Sequence, residues 1–208
     1  MGWIIVTEFI SLDGVIEAPG GGEKFKHAGW TFKFNRGEDG DKFKLDETLS
    51  SAALLLGRVT YEGFAAAWPT REGEFADKFN AMPKYVVSAT LTKPAWNNST
   101  VLKGDVADQV AKLKQKQQGN IVVHGSARLV QTLLEHDLVD ELRLMVFPVV
   151  LGTGKRLFGE SSDVKTLRLT NSRVVGDGVV IFTYEPRPCQ GDSGGRTGVA
   201  CVKGRSLG

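Results

Sequence analysis

Apolar residues fall into two rhythms along the chain. Short unbroken runs at Trp3–Ile10, Ala53–Leu56 and Ile121–Val123 have the length and β-branched character of strands buried on both faces. Between them, apolar positions recur every three or four residues and predict helices. One spans Asp39–Ser51, with Phe43 and Leu49 inward and Asp41, Lys42, Asp46 and Glu47 elsewhere. Others run from Gly57-Arg58 to about Trp68, over Glu72–Met82, and from an Asp105 N-cap through Val106, Val110 and Leu113 to a Gly119 stop. A fifth carries Leu129, Val130, Leu133 and Leu134 on one face. Shorter strands are expected at Lys84–Ser88 and Thr100–Leu102, and another where Leu142, Leu144 and Val146 alternate with Arg143 and Met145 until Pro148 interrupts. Lys165–Val175 and Val179–Glu185 flank Gly176-Asp177-Gly178, an antiparallel hairpin signal. The fold class is therefore α/β, a mostly parallel sheet with an antiparallel edge.

Two stretches break the pattern. Residues 18–37 combine glycines with Phe25, Trp30, Phe32 and Phe34, and a long aromatic loop either covers a planar ligand or packs on the surface of its own domain. From Pro186 onward hydrophobic periodicity ends and Gly and Ser dominate. The expected organisation is one domain over 1–185 and a disordered tail over 186–208.

Charge adds mainly exclusions. Twenty-six basic and 24 acidic residues among 208 give a net charge of +2, without long runs, so no footprint for nucleic acid or a membrane surface is seen. Lys112, Lys114 and Lys116 read as a solvated helix face. Glu8 and Asp13 interrupt the N-terminal apolar run before it could serve as a secretory core. A cytoplasmic protein without nucleic-acid or membrane partners is expected, and the sequons at Asn97 and Asn98 then carry no weight. Cys189 and Cys201 both lie in the tail, and His27, His124 and His136 are scattered, so no metal site is expected.

Several chemical motifs fail on context. Gln190-Gly191-Asp192-Ser193-Gly194-Gly195 looks like the nucleophile loop of trypsin-like proteases, but no histidine stands in the required setting. Gly152-Thr153-Gly154-Lys155 lacks the leading glycine of a P-loop, no G-x-G-x-x-G follows a strand, and His124-Gly125-Ser126 is not a nucleophile elbow. Two strand-to-helix junctions remain, at Gly57-Arg58-Val59-Thr60 and His124-Gly125-Ser126-Ala127. Such a turn exposes the first amides of a helix to an anion, although it also serves as an ordinary connection. Arg58 is either a bidentate phosphate partner or a surface ion-pair residue.

Taken in order, Ser11-Leu12-Asp13-Gly14, Leu56-Gly57-Arg58-Val59-Thr60-Tyr61-Glu62, Val86-Val87-Ser88, Val123-His124-Gly125-Ser126-Ala127, Leu138-Val139-Asp140-Glu141-Leu142 and Pro148-Val149-Val150-Leu151-Gly152 resemble the dihydrofolate reductase-like superfamily. The branch is the one similar to the C-terminal reductase domain of the riboflavin-biosynthesis deaminase-reductase. The resemblance covers about residues 3–185. It implies a sheet of about eight strands that binds NADPH, a small heterocyclic substrate of pterin or riboflavin-precursor type, and a homodimer. It also implies that Gly57, Arg58 and Thr60 grip cofactor phosphates, that Ser88 lies near the adenosine 2′-phosphate, and that Gly125, Ser126 and Ala127 meet the pyrophosphate and nicotinamide side. Asp41 stands at the offset of the carboxylate that polarises substrate in folate-reducing members, with Asp13 and Glu47 as alternatives. A protein of this fold that binds a dinucleotide without turnover is the other reading.

Overall fold

The first strand, β1 (Trp3–Ser11), lies at the middle of the sheet, which explains its unbroken apolar run. The computed structural model describes residues 1–22, 24–159 and 164–187. Along the chain follow α1 (Gly37–Ser50), β2 (Ser51–Gly57), α2 (Arg58–Ala67), α3 (Glu74–Ala81), β3 (Lys84–Val87) and β4 (Ser99–Leu102). Then come α4 (Val106–Lys116), β5 (Asn120–His124), α5 (Ala127–Glu135), β6 (Glu141–Phe147), β7 (Leu167–Val175) and β8 (Val179–Pro186). The described strands form one eight-stranded sheet in the order β4-β3-β2-β5-β1-β6-β8-β7. Strands β1 to β6 are parallel, and β8 joins antiparallel to both β6 and β7.

This order sends the chain in two directions. From β1 and β2 it moves towards the β4 edge through α1 and α2, whereas from β4 and β5 it returns through α4 and α5. Because such crossovers are right-handed, the two sets of helices cover opposite faces. On the α4–α5 face, Val110, Leu113, Leu129, Val130 and Leu133 pack on Ile4, Val6, Ile121 and Val123. On the other face, Tyr61 and Phe79 of α2 and α3 cover Leu54, Leu56 and Val86. A third cluster joins Trp30, Met145, Phe147, Val179 and Ile181.

That third cluster bears on two expectations. Met145, set in alternation with Leu142, Leu144 and Val146 on the other side of β6, is buried too, because the aromatic cluster with Trp30 and Phe147 covers that side. In the 18–37 loop, Trp30 is 1% exposed, its Nε1 donates to Glu17 O at 2.9 Å, and its ring meets Phe147 edge-on at 5.4 Å. Phe25 and Phe34 pack against the same cluster, and only Phe32 of the four stays open. The loop aromatics therefore brace the domain, in line with the second reading above.

Helix α1 departs further from its expected pattern. Leu49 is exposed and Phe43 half-buried, while Lys44, Glu47 and Thr48 are the buried side chains. Hydrophobic spacing misplaces this face because its inward residues are polar, with Lys44 and Glu47 paired to each other. The hairpin forms as expected, and its tip docks on the entry to α1. Asp177 N donates to Asn35 O at 2.7 Å, and Asn35 N donates to the Asp177 carboxylate at 2.8 Å. A Cβ on Gly176, at φ 48°, would lie 2.0 Å from Asn35 O, so only glycine fits that tip. Strand β8 reaches Pro186, one residue beyond the expected domain end; the rest of the predicted tail from residue 188, with the protease-like loop, lies outside the described residues. Among the described residues no helix is long and apolar enough to cross a membrane.

Candidate functional site

β5 turns to one face of the sheet at its C-terminal end, while its neighbours β1 and β2 turn to the other. Crevices opened in this way beyond the carboxyl ends of parallel strands are where open α/β sheets bind ligands. The sequence has placed its two glycine junctions there. At the β5–α5 turn, Gly125 has φ 55° and Ser126 φ 62°, and Ser126 is an N-cap whose side chain does not cap. Its hydroxyl instead joins the two junctions. Ser126 Oγ accepts the Gly57 N–H at 2.9 Å and donates to Thr60 Oγ1 at 3.0 Å. The N-cap of α2, Gly57, likewise makes no side-chain cap. Two helix N-termini thus stand side by side with their leading amides uncapped by side chains, a pair of partial positive charges suited to phosphate oxygens.

Arg58 opens α2 beside this cradle. Its guanidinium holds both oxygens of Glu62 at 2.8 and 2.9 Å on the surface. Such an exposed pair is weak, and a phosphate can displace it. Ser88 is buried, and its Oγ accepts the N–H groups of Thr90 and Leu91 at 3.2 and 2.9 Å. It shapes the turn after β3 and keeps only its hydroxyl proton to donate.

A polar network underlies the α1 face of β1. Thr7 Oγ1 accepts from Lys44 Nζ at 2.8 Å and donates to Glu47 Oε2 at 3.1 Å, and Lys44 also pairs directly with Glu47. Arg143 of β6 reaches the other Glu47 oxygen at 3.4 Å. Burial by itself would raise the Glu47 carboxyl, but the Lys44 ammonium and the Arg143 guanidinium outweigh it and hold it below its usual range. His124, in register with Thr7 and packed against Phe64 and Phe79, is pushed down to about 3 by burial and by Lys44, so it is neutral at physiological pH. Glu47 and Arg143 also wall a depression of about 670 Å³ between α1 and β6, β8 and β7, which Phe43 and Arg173 line as well.

The RibD C-terminal domain family model matches residues 2–181. The chain belongs to this family. Two Bacillus subtilis (strain 168) relatives, the uncharacterised proteins YyaP and YwjB, are 30% identical over 186 residues and 31% over 170. The alignments cover 87% and 82% of this chain, and 93% and 90% of those proteins. Among solved structures, a protein of Shewanella sp. PV-4, provisionally named for riboflavin biosynthesis, superposes with a TM-score of 0.73 at 24% identity, over 89% of this chain and 99% of that one. A pyrimidine reductase-like protein of Corynebacterium diphtheriae gives 0.59 at 13% identity, over 89% of this chain and 92% of that one. RibD of Acinetobacter baumannii gives 0.59 at 14% identity, over 90% of this chain but 59% of its own length. These likenesses establish the dihydrofolate reductase-like fold.

Within this RibD C-terminal domain fold the sequence-derived residues separate into two groups. Gly57, Arg58, Thr60, Gly125, Ser126 and Ala127 converge at the paired junctions, with Ser88 at the end of the strand beside β2. The two carboxylates singled out for chemistry do not join them. Asp41 lies on the outer side of α1, largely exposed and paired with Arg36, because the inward turn of the helix is taken by Lys44 and Glu47. Asp13 is a structural clamp. Its carboxylate accepts from Ser11 Oγ at 2.7 Å, Leu151 N at 3.0 Å and Gly152 N at 2.8 Å, and these donors, led by Ser11, lower it to about 2. Glu47, the remaining alternative, is the carboxylate that faces the sheet. Sequence reasoning missed Thr7, Lys44 and Arg143, whose only signal was polarity inside strands and on a helix face.

Proposed function

We propose that this protein is an NADPH-dependent reductase that transfers hydride to a C=N or C=O group of a small heterocyclic or carbonyl compound, of pterin or riboflavin-precursor type. The observation that carries the reading is the pair of uncapped helix N-termini joined through Ser126, with Arg58 and Thr60 beside them, at the switch point of a RibD C-terminal domain fold. The donor set fits the group: amides and a hydroxyl for the pyrophosphate, and a guanidinium for a 2′-phosphate. The bound dinucleotide would supply the hydride. The chain's own residues bind and orient it, and Glu47 with Lys44 and Arg143 offers a fixed, ionised site for a polar substrate edge along the α1 face. A cytoplasmic location and a homodimer belong to the same reading, following the chain's composition and its family.

Arg58→Ala should weaken NADPH about tenfold or more and NADH far less, since a charge-assisted pair to the extra phosphate is worth on the order of 1.5–3 kcal/mol. Fluorescence titration of both cofactors measures it, and equal loss for both would remove Arg58 from the 2′-phosphate. The exposed position of Asp41 and the clamped state of Asp13 favour one rival, a dinucleotide-binding protein without turnover. Anaerobic mixing with NADPH and a panel of pterins and ribosylamino-pyrimidines, followed at the nicotinamide absorbance, separates the two. Binding without oxidation of the cofactor by any compound would select the rival.

A further inference from the structure

One buried carboxyl group lies beneath the β5–α5 turn and takes no part in the network on α1. β1 and β5 stay in register as far as Thr7 and His124, so the next β1 residue, Glu8, lies beside Gly125, where β5 ends. On its other side Glu8 pairs with Leu144 of β6. Glu8 is 5% exposed, and its Oε1 is fully buried without a hydrogen-bond partner. The charged side chains that act on it, Lys44 and Glu47 of α1, are paired with each other, and Arg143 of β6 is engaged by Glu47 and Glu141. His124 of β5 is neutral. Burial raises the Glu8 carboxyl well above its ordinary value; the Gly125 N–H and Lys44 oppose this and Glu47 reinforces it. Burial of this kind favours the protonated, uncharged form of the acid.

We propose that Glu8 is a positioning residue whose charge state sets the affinity of the Gly125-Ser126-Ala127 turn for an anionic nucleotide phosphate. This rests on the dinucleotide site proposed above. Neutral Glu8 leaves the turn and the α5 N-terminus electropositive. Ionised Glu8 puts a negative charge under the amides that would meet the phosphates, with little water between to screen it. Since the carboxyl is raised, affinity is full below its midpoint and falls as pH rises through it. The linkage is reciprocal: phosphate binding strengthens proton binding by Glu8, so at alkaline pH the complex takes up a proton.

Calorimetric titration of NADPH into the wild type and Glu8→Gln, in buffers of different ionisation enthalpy from neutral to mildly alkaline pH, tests this where the cofactor phosphates are fully ionised. Wild-type affinity should fall by up to about tenfold per pH unit above the midpoint, with uptake approaching one proton per NADPH, and both effects should vanish in Glu8→Gln. A second readout needs no variant: the wild type should show a protonated-carboxyl infrared band at neutral pH, whose loss on alkaline titration moves to higher pH when NADPH is bound. Matching pH profiles and proton uptake in the two proteins, or absence of the band at neutral pH, would overturn the role of Glu8. Failure of NADPH to bind either protein at any pH would instead overturn the dinucleotide site itself.

Discussion

At the residue scale, Asp13 and Glu47 show how context separates like carboxylates. Asp13, itself held by Ser11, binds the turn after β1 to the loop after β6 through two backbone donors. Asp13→Asn should cost on the order of 1–3 kcal/mol at neutral pH, because the amide returns only part of that acceptor capacity. A carboxyl lowered from 3.8 to about 2 stabilises the fold above pH 3.8 and loses that contribution as pH falls towards 2. Thermal melts of both proteins should therefore differ at neutral pH and converge on acidification through that window; equal melting at neutral pH would refute the clamp. The Asp-Gly turn was legible in the sequence, but the Leu151 and Gly152 amides that Asp13 holds lie more than 130 residues away and left no local trace. Glu47 was hidden for a related reason: its neutralising partners come from a helical neighbour and from β6, 96 residues on. Spacing reveals a buried apolar stripe, whereas a buried ion pair looks like surface.

At the element scale, strands β1, β2 and β5, the hairpin and helices α4 and α5 were legible from their apolar runs or periods and their turn residues, whereas α1 lacks an apolar face and its inward side was misplaced. The joining of β2–α2 to β5–α5 was not, although both turns were visible, since nothing in either segment encodes the hydroxyl of Ser126 reaching Gly57 N and Thr60. The tight fit there is testable. Gly125→Ala adds a Cβ 3.0 Å from Thr60 Oγ1 at a φ of 55°, which should cost about 1–2 kcal/mol from the left-handed backbone alone plus the steric term. Denaturant unfolding of Gly125→Ala and of the double variant with Thr60→Ala resolves the two parts. Recovery of only the steric part is expected, and full recovery would mean the backbone at Gly125 is not strained by alanine.

For the whole molecule, the sheet order places the earliest strand between β5 and β6 and adds the hairpin at one edge. We expect a chain ending at Arg187 to fold and to melt within about 2 °C of the full chain, since a loss under 0.5 kcal/mol is typical of surface changes. A larger drop in calorimetry would extend the domain past that point. The mostly parallel class with its antiparallel edge was legible in the pattern of strands and helices, and the count of about eight strands came with the family resemblance. The unbroken apolar run of β1 marked it as a strand buried on both faces, whereas its two neighbours were not legible, because they depend on crossovers that skip a strand.

The docking of the Gly176-Asp177 tip on Asn35 has a consequence for biosynthesis. Asn35 leaves the ribosome long before Asp177 is made, and β1 must wait for both of its neighbours. The nascent protein therefore spends most of its translation with the 18–37 segment unanchored and the Trp30 cluster without its hairpin wall, and the domain closes only when its last strands emerge. A ribosome-stalled chain ending before β7 should be cut by protease within that segment, and one extended past Arg187 by the length of the exit tunnel should resist.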